Sequence, residues 1–181
     1  MTALRELTEE GFEEAGLDFR RVFERYGRYV WRLLRRMGVP EADVPDVAQE
    51  VFMIVRRKLH QVHSPASLRG FVYGIAVREA SDHRRSARVR RERVTLAPPD
   101  PGIDAPQEDD LERARARMIL HEALGRLDEN KRVVFVLYEL EELGMREIAE
   151  VVGCPLQTAY SRLHAARKSV IAAFELERSD R

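Results

Sequence analysis

Apolar residues along the chain recur at intervals of three and four, and no stretch alternates with the period of two that marks a strand, so the pattern predicts an all-α protein. Val22, Tyr26, Tyr29, Val30, Leu33 and Met37 line one face of a first helix that ends at Gly38 and Pro40. Val47, Val51, Ile54 and Val55 form the stripe of a second, with Asp43 as its expected N-cap, Pro45 in the first turn and Asp46 favourable beside the helix dipole. After a loop around His63, Ser64 and Pro65, a third helix buries Leu68, Val72, Ile75 and Ala76.

Further on, Leu120, Ala123, Leu124 and Leu127 suggest one helix and Val133, Val136, Leu137 and Leu140 another. Residues 145–152 then read as a short helix with Ile148, Ala149 and Val152 on one side. Gly153, Cys154 and Pro155 make a tight turn, and a last helix follows with Ala159, Leu163, Ala166 and Val170 on its inner face. Two helices across a short Gly-containing turn have the helix-turn-helix layout. Burying that face leaves Gln157, Thr158, Tyr160, Ser161, Arg162, Arg167 and Lys168 outward, with no acid between Gly153 and Phe174. Hydrogen-bonding and cationic side chains on one helix suit the major groove, where they pair with base edges and phosphates. An ordinary helical hairpin with a polar outer face is the alternative.

The whole-chain balance of 31 basic and 31 acidic residues conceals a block pattern. Residues 1–18 carry one Arg and six acids, residues 19–93 carry 18 basic residues and eight acids, residues 94–112 carry six acids and no base, and residues 113–181 carry 12 bases and 11 acids. Arg78, Arg84, Arg85, Arg88, Arg90, Arg91 and Arg93 crowd one stretch of the second block. A basic block flanked by acidic ones reads as a polyanion-binding domain with self-shielding tails. Residues 96–112 hold four prolines and one glycine among those six acids, a composition that reads as a linker. As a flexible coil, residues 94–112 would average roughly 24 Å end to end, leaving two domains loosely tethered.

At 181 residues the chain has room for one ordinary domain or two small ones. The expected organisation is an acidic tail at 1–18, a helical domain at 19–93, an acidic Pro-rich linker at 94–112, a helix-turn-helix domain at 113–175 and a short tail at 176–181. A single cysteine cannot form an internal disulfide, no apolar run approaches the roughly 18 residues of a membrane span, and the acidic start is the reverse of a signal peptide. A cytoplasmic setting without membrane contact is expected. His60 and His63 share a helical turn but have no third ligand nearby, and Cys154 has no neighbouring base. No phosphate loop or Ser/His/Asp signature appears, so neither metal, cofactor nor enzyme activity is expected.

Three stretches together resemble the extracytoplasmic-function group of bacterial sigma factors: DVAQEVF at 46–52; LRGFVYGIA at 68–76 with DHRR at 82–85; and EIAEVVG at 147–153, followed by TAYSRL at 158–163 and by Ala166 and Arg167. The resemblance implies a sigma region 2 bundle and a sigma region 4 helix-turn-helix. Asp46, Gln49, Glu50 and Phe52 look like the segment that grips the clamp helices of the largest polymerase subunit, with core packing the alternative for Phe52. The loop with His63 and Ser64 and the following helix look like the element that captures a flipped base of the minus-ten promoter element. Extrusion costs a few kcal/mol and stacking returns about 1 to 3 kcal/mol per base, with Phe71 and Tyr73 as candidates unless buried. Arg69, Arg78, Arg84 and Arg85 would neutralise phosphates, and the last helix would read the minus-thirty-five element. Phe71 and Arg78 stand where the family usually has Trp and Asn. The implied partners are core RNA polymerase, through its clamp helices and flap region, promoter DNA and an anti-sigma factor. The alternative function is a free-standing helix-turn-helix regulator.

Overall fold

A computed structural model of the protein describes residues 18–62, 64–91 and 108–179, all helices and turns. Helix α1 spans Phe19–Arg36, opened by Asp18, whose carboxylate accepts from Arg20 N at 3.0 Å. It buries Val22, Tyr26, Val30, Leu33 and Leu34, while Tyr29 is half-exposed, and it gives way at Gly38, whose φ of 85° suits glycine. A 3-10 turn, Glu41–Asp43, leads into α2 at Val44–Lys58. Asp43 precedes α2, yet its side chain caps nothing and instead sits 3.0 Å from His83 Nε2. The 3-10 turn before the helix gives Asp43 helical dihedrals, and a cap needs extended ones.

Helix α3, Pro65–Arg91, completes the first bundle, with α1, α2 and α3 packed against one another. Ser64 starts it: its Oγ accepts from Ser67 N at 3.2 Å, while Ser67 Oγ donates to Ser64 O at 2.9 Å. Leu68, Val72, Ile75 and Ala76 are all buried, as the spacing requires.

Helix α4, Glu108–Arg126, begins inside the stretch whose composition reads as linker. Three acids at its first positions, Glu108, Asp109 and Asp110, favour a helix N-terminus. Asp128 then caps α5, Glu129–Phe135, by accepting from Lys131 N at 3.0 Å, and the chain continues through the π-helical Val136–Leu140. Helix α6 is Met145–Val152 and α7 is Leu156–Ser179. Helices α4, α5 and α6 all rest on α7.

The two bundles are not merely tethered. Helix α6 packs on α3, Val151 lies against Gly74, Glu147 lies against Gly70, and one apolar core runs through both halves. Arg132 of α5 donates to Met37 O across the boundary at 3.2 Å. The expectation of loose tethering came from linker composition alone, which carries no information about how the faces it joins fit together.

Candidate nucleic-acid and polymerase interfaces

The helix-turn-helix follows from one glycine. Gly153 closes α6 with φ 67° and ψ 44°, left-handed values that admit few other residues. Its N–H donates to Glu150 O and the Cys154 N–H to Ala149 O at 3.0 Å, so the last carbonyls of α6 are satisfied as the chain turns. Helix α7 leaves the turn with Ala159, Leu163, Ala166 and Val170 buried, the face its periodicity marks. Gln157, Tyr160, Ser161 and Lys168 are exposed and Thr158 and Arg162 half-exposed. Ser161 Oγ donates to Thr158 O at 2.9 Å. Arg167 is held by its own domain, with Nε 2.5 Å from Glu139 Oε1 and its guanidinium 5.4 Å from the Tyr138 ring centre.

On α3 the sequence-predicted set divides. Arg78 and Arg85 are exposed and Phe71 is half-exposed. Tyr73 is buried at 1% exposure, its hydroxyl donating to Glu141 Oε2 at 3.1 Å. Burial, then the charge of Glu141, pushes the Tyr73 phenol well above its ordinary range. Arg69 donates to the Glu141 carbonyl and lies over the Tyr73 ring. Arg84 has a buried Nη1 with no hydrogen-bond partner among the described residues, and burial lowers its pKa. Ser64 spends its side chain on the α3 cap, and His63 lies outside the described residues.

On α2, Asp46, Gln49 and Glu50 are exposed one helical turn apart. Phe52 is 6% exposed and makes edge contacts with Phe23, at 4.8 Å between ring centres, and with Phe19, at 6.4 Å. These rings form one wall of a groove of about 360 Å³ between α1 and α2, lined also by Gly27, Trp31, Gln49 and Met53. Phe52 therefore packs inward and borders the groove at once. Sequence reading missed the groove, although Phe19, Phe23, Gly27 and Trp31 recur every four residues and make a second row on α1. It also missed Arg36, Arg132 and Glu141, because periodicity assigns charged residues to solvent.

Among the described residues no group of His, Cys, Asp and Glu could hold a metal, and no helix is long and apolar enough to cross a membrane.

The family model for Sigma-70 region 2 matches residues 22–90, and that for Sigma-70, region 4 matches residues 112–170. The chain is 30% identical to the ECF RNA polymerase sigma-E factor of Escherichia coli over 183 residues, 92% of this chain and 90% of the relative. The protein of that name from Haemophilus influenzae is 28% identical over 93% of this chain and 92% of its own. Among solved structures, the sigma factor RpoE in complex with the anti-sigma factor NepR from Bartonella quintana matches with a TM-score of 0.71 at 18% identity, over 87% of this chain and 97% of that one. CnrH in complex with the cytosolic domain of CnrY matches with a TM-score of 0.63 at 24% identity, over 87% and 88%. At these identities the structures speak for the fold. The two region models span most of the chain in the order its two bundles require, and the curated relatives match it nearly end to end, so the protein belongs to the sigma-70 family, in its extracytoplasmic-function group, as an alternative sigma factor of transcription initiation.

Proposed function

We propose that this chain steers core polymerase with three separate surfaces and performs no chemistry itself. The α1–α2 groove, with Asp46, Gln49 and Glu50 on its rim side, takes the clamp helices of the largest polymerase subunit. The exposed positions of α3, with Arg78 and Arg85, hold the minus-ten element, joined by Arg69 and Tyr73 once the domains part. Gln157, Thr158, Tyr160, Ser161, Arg162 and Lys168 on α7 read the minus-thirty-five element, with Arg167 fixed at the edge of that face. The second domain also meets the polymerase flap region. Members of the family are non-enzymatic initiation factors, so promoter selection and opening come from binding energy alone.

The observation that carries this reading is the apolar groove on α1 and α2. A free-standing regulator needs a DNA-reading helix but no exposed Trp31, Phe23 and Met53 on the opposite bundle, and all three are substantially exposed. Exposed apolar patches of this kind mark contact surfaces. A cytoplasmic setting follows from work beside core polymerase. The solved complex of the sigma factor RpoE with the anti-sigma factor NepR supports a proteinaceous inhibitor for this chain as well.

The test is run-off transcription with core polymerase, with and without the protein, together with pull-down of Met53→Arg and Asp46→Arg variants. A new start site with wild type, and loss of core binding in both variants while helicity is retained, is the expected result. Core retention by both variants would reject the groove as the polymerase surface.

A further inference from the structure

The turn at Glu141 is built unlike the rest of its domain. Residues Val136–Leu140 wind as a π-helix, a rare form concentrated at functional positions, and Glu142 just beyond takes a φ of 55°, a left-handed value that non-glycine residues avoid. Between them Glu141 is buried, yet its carboxylate faces the other domain. Arg36 of α1 donates to Glu141 Oε1 and to Leu140 O, the second at 3.1 Å. Tyr73 of α3 donates to Oε2, and Arg69 of α3 donates to the Glu141 carbonyl. A carboxylate and the last carbonyls of a helix, both negative, are thus received by two guanidiniums and a phenol. That receiving set is equally suited to a phosphodiester, whose oxygens accept from arginine forks and hydroxyls in the same way.

We propose that Glu141 is an internal stand-in for a promoter phosphate. It fills an anion site made by Arg36, Arg69 and Tyr73, and so holds the free chain closed with α6 across the minus-ten face; a DNA phosphodiester takes the site when the domains part. The proposal deepens the promoter reading above and rests on it. Two further observations support it. Arg69 and Tyr73 lie on the helix that would hold the downstream element, and in the closed form Tyr73 is buried while the half-buried Arg69 is engaged by the Glu141 carbonyl. At the other end of the same boundary like charges converge: a Cβ placed on Gly38 would lie 3.0 Å from Arg132 Nη1 and 3.5 Å from Arg84 Nε. At that end the Arg132 bond to Met37 O is set against Arg84–Arg132 repulsion, which leaves the Glu141 contacts as the closing contacts that a competing anion can displace.

The test uses the full chain without polymerase. Fluorophores at Arg57→Cys and Ser169→Cys on a Cys154→Ser background report the separation of the domains, and a labelled 30-base-pair duplex is titrated at several salt concentrations. Glu141→Gln should part the labels and tighten DNA binding about tenfold, the shift expected when one charge-assisted contact stops competing. Arg36→Ala should part the labels too but gain less affinity, with a salt slope shallower than that of Glu141→Gln by about one, because one phosphate contact is gone. Thermal melts identify any variant that has unfolded, and each of the two variants tests the latch by itself. Wild-type separation in either folded variant, or parted labels with unchanged DNA affinity in Glu141→Gln, overturns the proposal. Core pull-down and run-off transcription by wild type are run in parallel; their failure counts against the promoter reading, while label separation still decides the latch.

Discussion

Replacing Arg132 with leucine should destabilise the C-terminal domain by about 3 kcal/mol, a large effect for a residue remote from every proposed contact surface. Arg132 is 2% exposed and, among the described residues, has no carboxylate in ion-pair range; its guanidinium donates instead to Gly125 O and Leu127 O, both at 2.9 Å, and to Met37 O at 3.2 Å. The first two bonds close the C-terminal end of α4 and the turn beyond it; the third reaches the end of α1. Burial, then the neighbouring Arg84 charge, lowers its pKa to about 10, which leaves it cationic at neutral pH but records the strain of burying it. Each charge-assisted bond contributes about 1.5 to 3 kcal/mol net. Leucine would relieve the desolvation and the repulsion, worth about 1 to 2 kcal/mol, but would leave the carbonyls of the buried Met37 and Leu127 without this donor, and that of the exposed Gly125 to water. The carbonyls belong to the backbone, so an apolar replacement cannot remove both partners, the condition under which buried polar pairs are exchanged without loss. Urea unfolding of the full chain followed by circular dichroism reads the effect as a midpoint shift at constant slope. Arg132→Lys, keeping the charge and part of the bonding, should fall between. A leucine variant within 1 kcal/mol of wild type would refute the reasoning.

Asp128→Ala should cost about 1 kcal/mol at neutral pH through loss of the α5 cap. Hydrogen bonding from Lys131 holds the Asp128 carboxyl below its ordinary value, so its contribution is present above the unfolded pKa and disappears as pH falls through the lowered folded one. Melting temperatures of wild type and variant should therefore converge in acid, and a constant gap would remove the cap as the cause. Arg162→Ala should weaken binding to an upstream-element duplex by about 1 to 3 kcal/mol if the side chain pairs with a base. An equal loss on unrelated duplexes, measured by anisotropy, would demote it to a phosphate contact.

The parts legible in the sequence are those governed by period and by backbone conformation. The buried face of α7 was readable from Ala159, Leu163, Ala166 and Val170, and the turn from Gly153, because a helix repeats every 3.6 residues and left-handed dihedrals favour glycine. The groove is half-legible: periodicity marks the buried stripe of α1, whereas the second row, from Phe19 through Trp31, faces outward and gains its meaning only from Phe52 and Met53 of α2. Arg36, Arg132 and Glu141 were illegible for a different reason. Pattern rules place charges in solvent, and each of these is placed by a partner from the other half of the chain. Likewise, nothing local distinguishes a π-helical turn from an α-helical one in the run VLYEL.

That division bears on how a sigma factor of this size can be both closed and usable. Because the domains share one chain, closure is intramolecular, and a few good contacts suffice where separate molecules would need a large interface. The boundary between α3 and α6 supplies few: two glycines, Gly70 and Gly74, let α6 approach, and Glu147 stands against Gly70 with its carboxyl pushed upward chiefly by burial. Burying Glu147 beside a small residue stabilises little, and repulsion between the Arg84 and Arg132 guanidiniums offsets part of what the Arg132 bond across the boundary contributes. The polar contacts that favour closure concentrate around Glu141 and at the Arg132 bond to Met37 O, and only the former involves groups suited to DNA. A device that must yield to promoter and polymerase cannot be welded along its whole length. It needs one strong, exchangeable contact on a weak seam, and an acidic side chain seated among phosphate-binding residues is a contact of that kind.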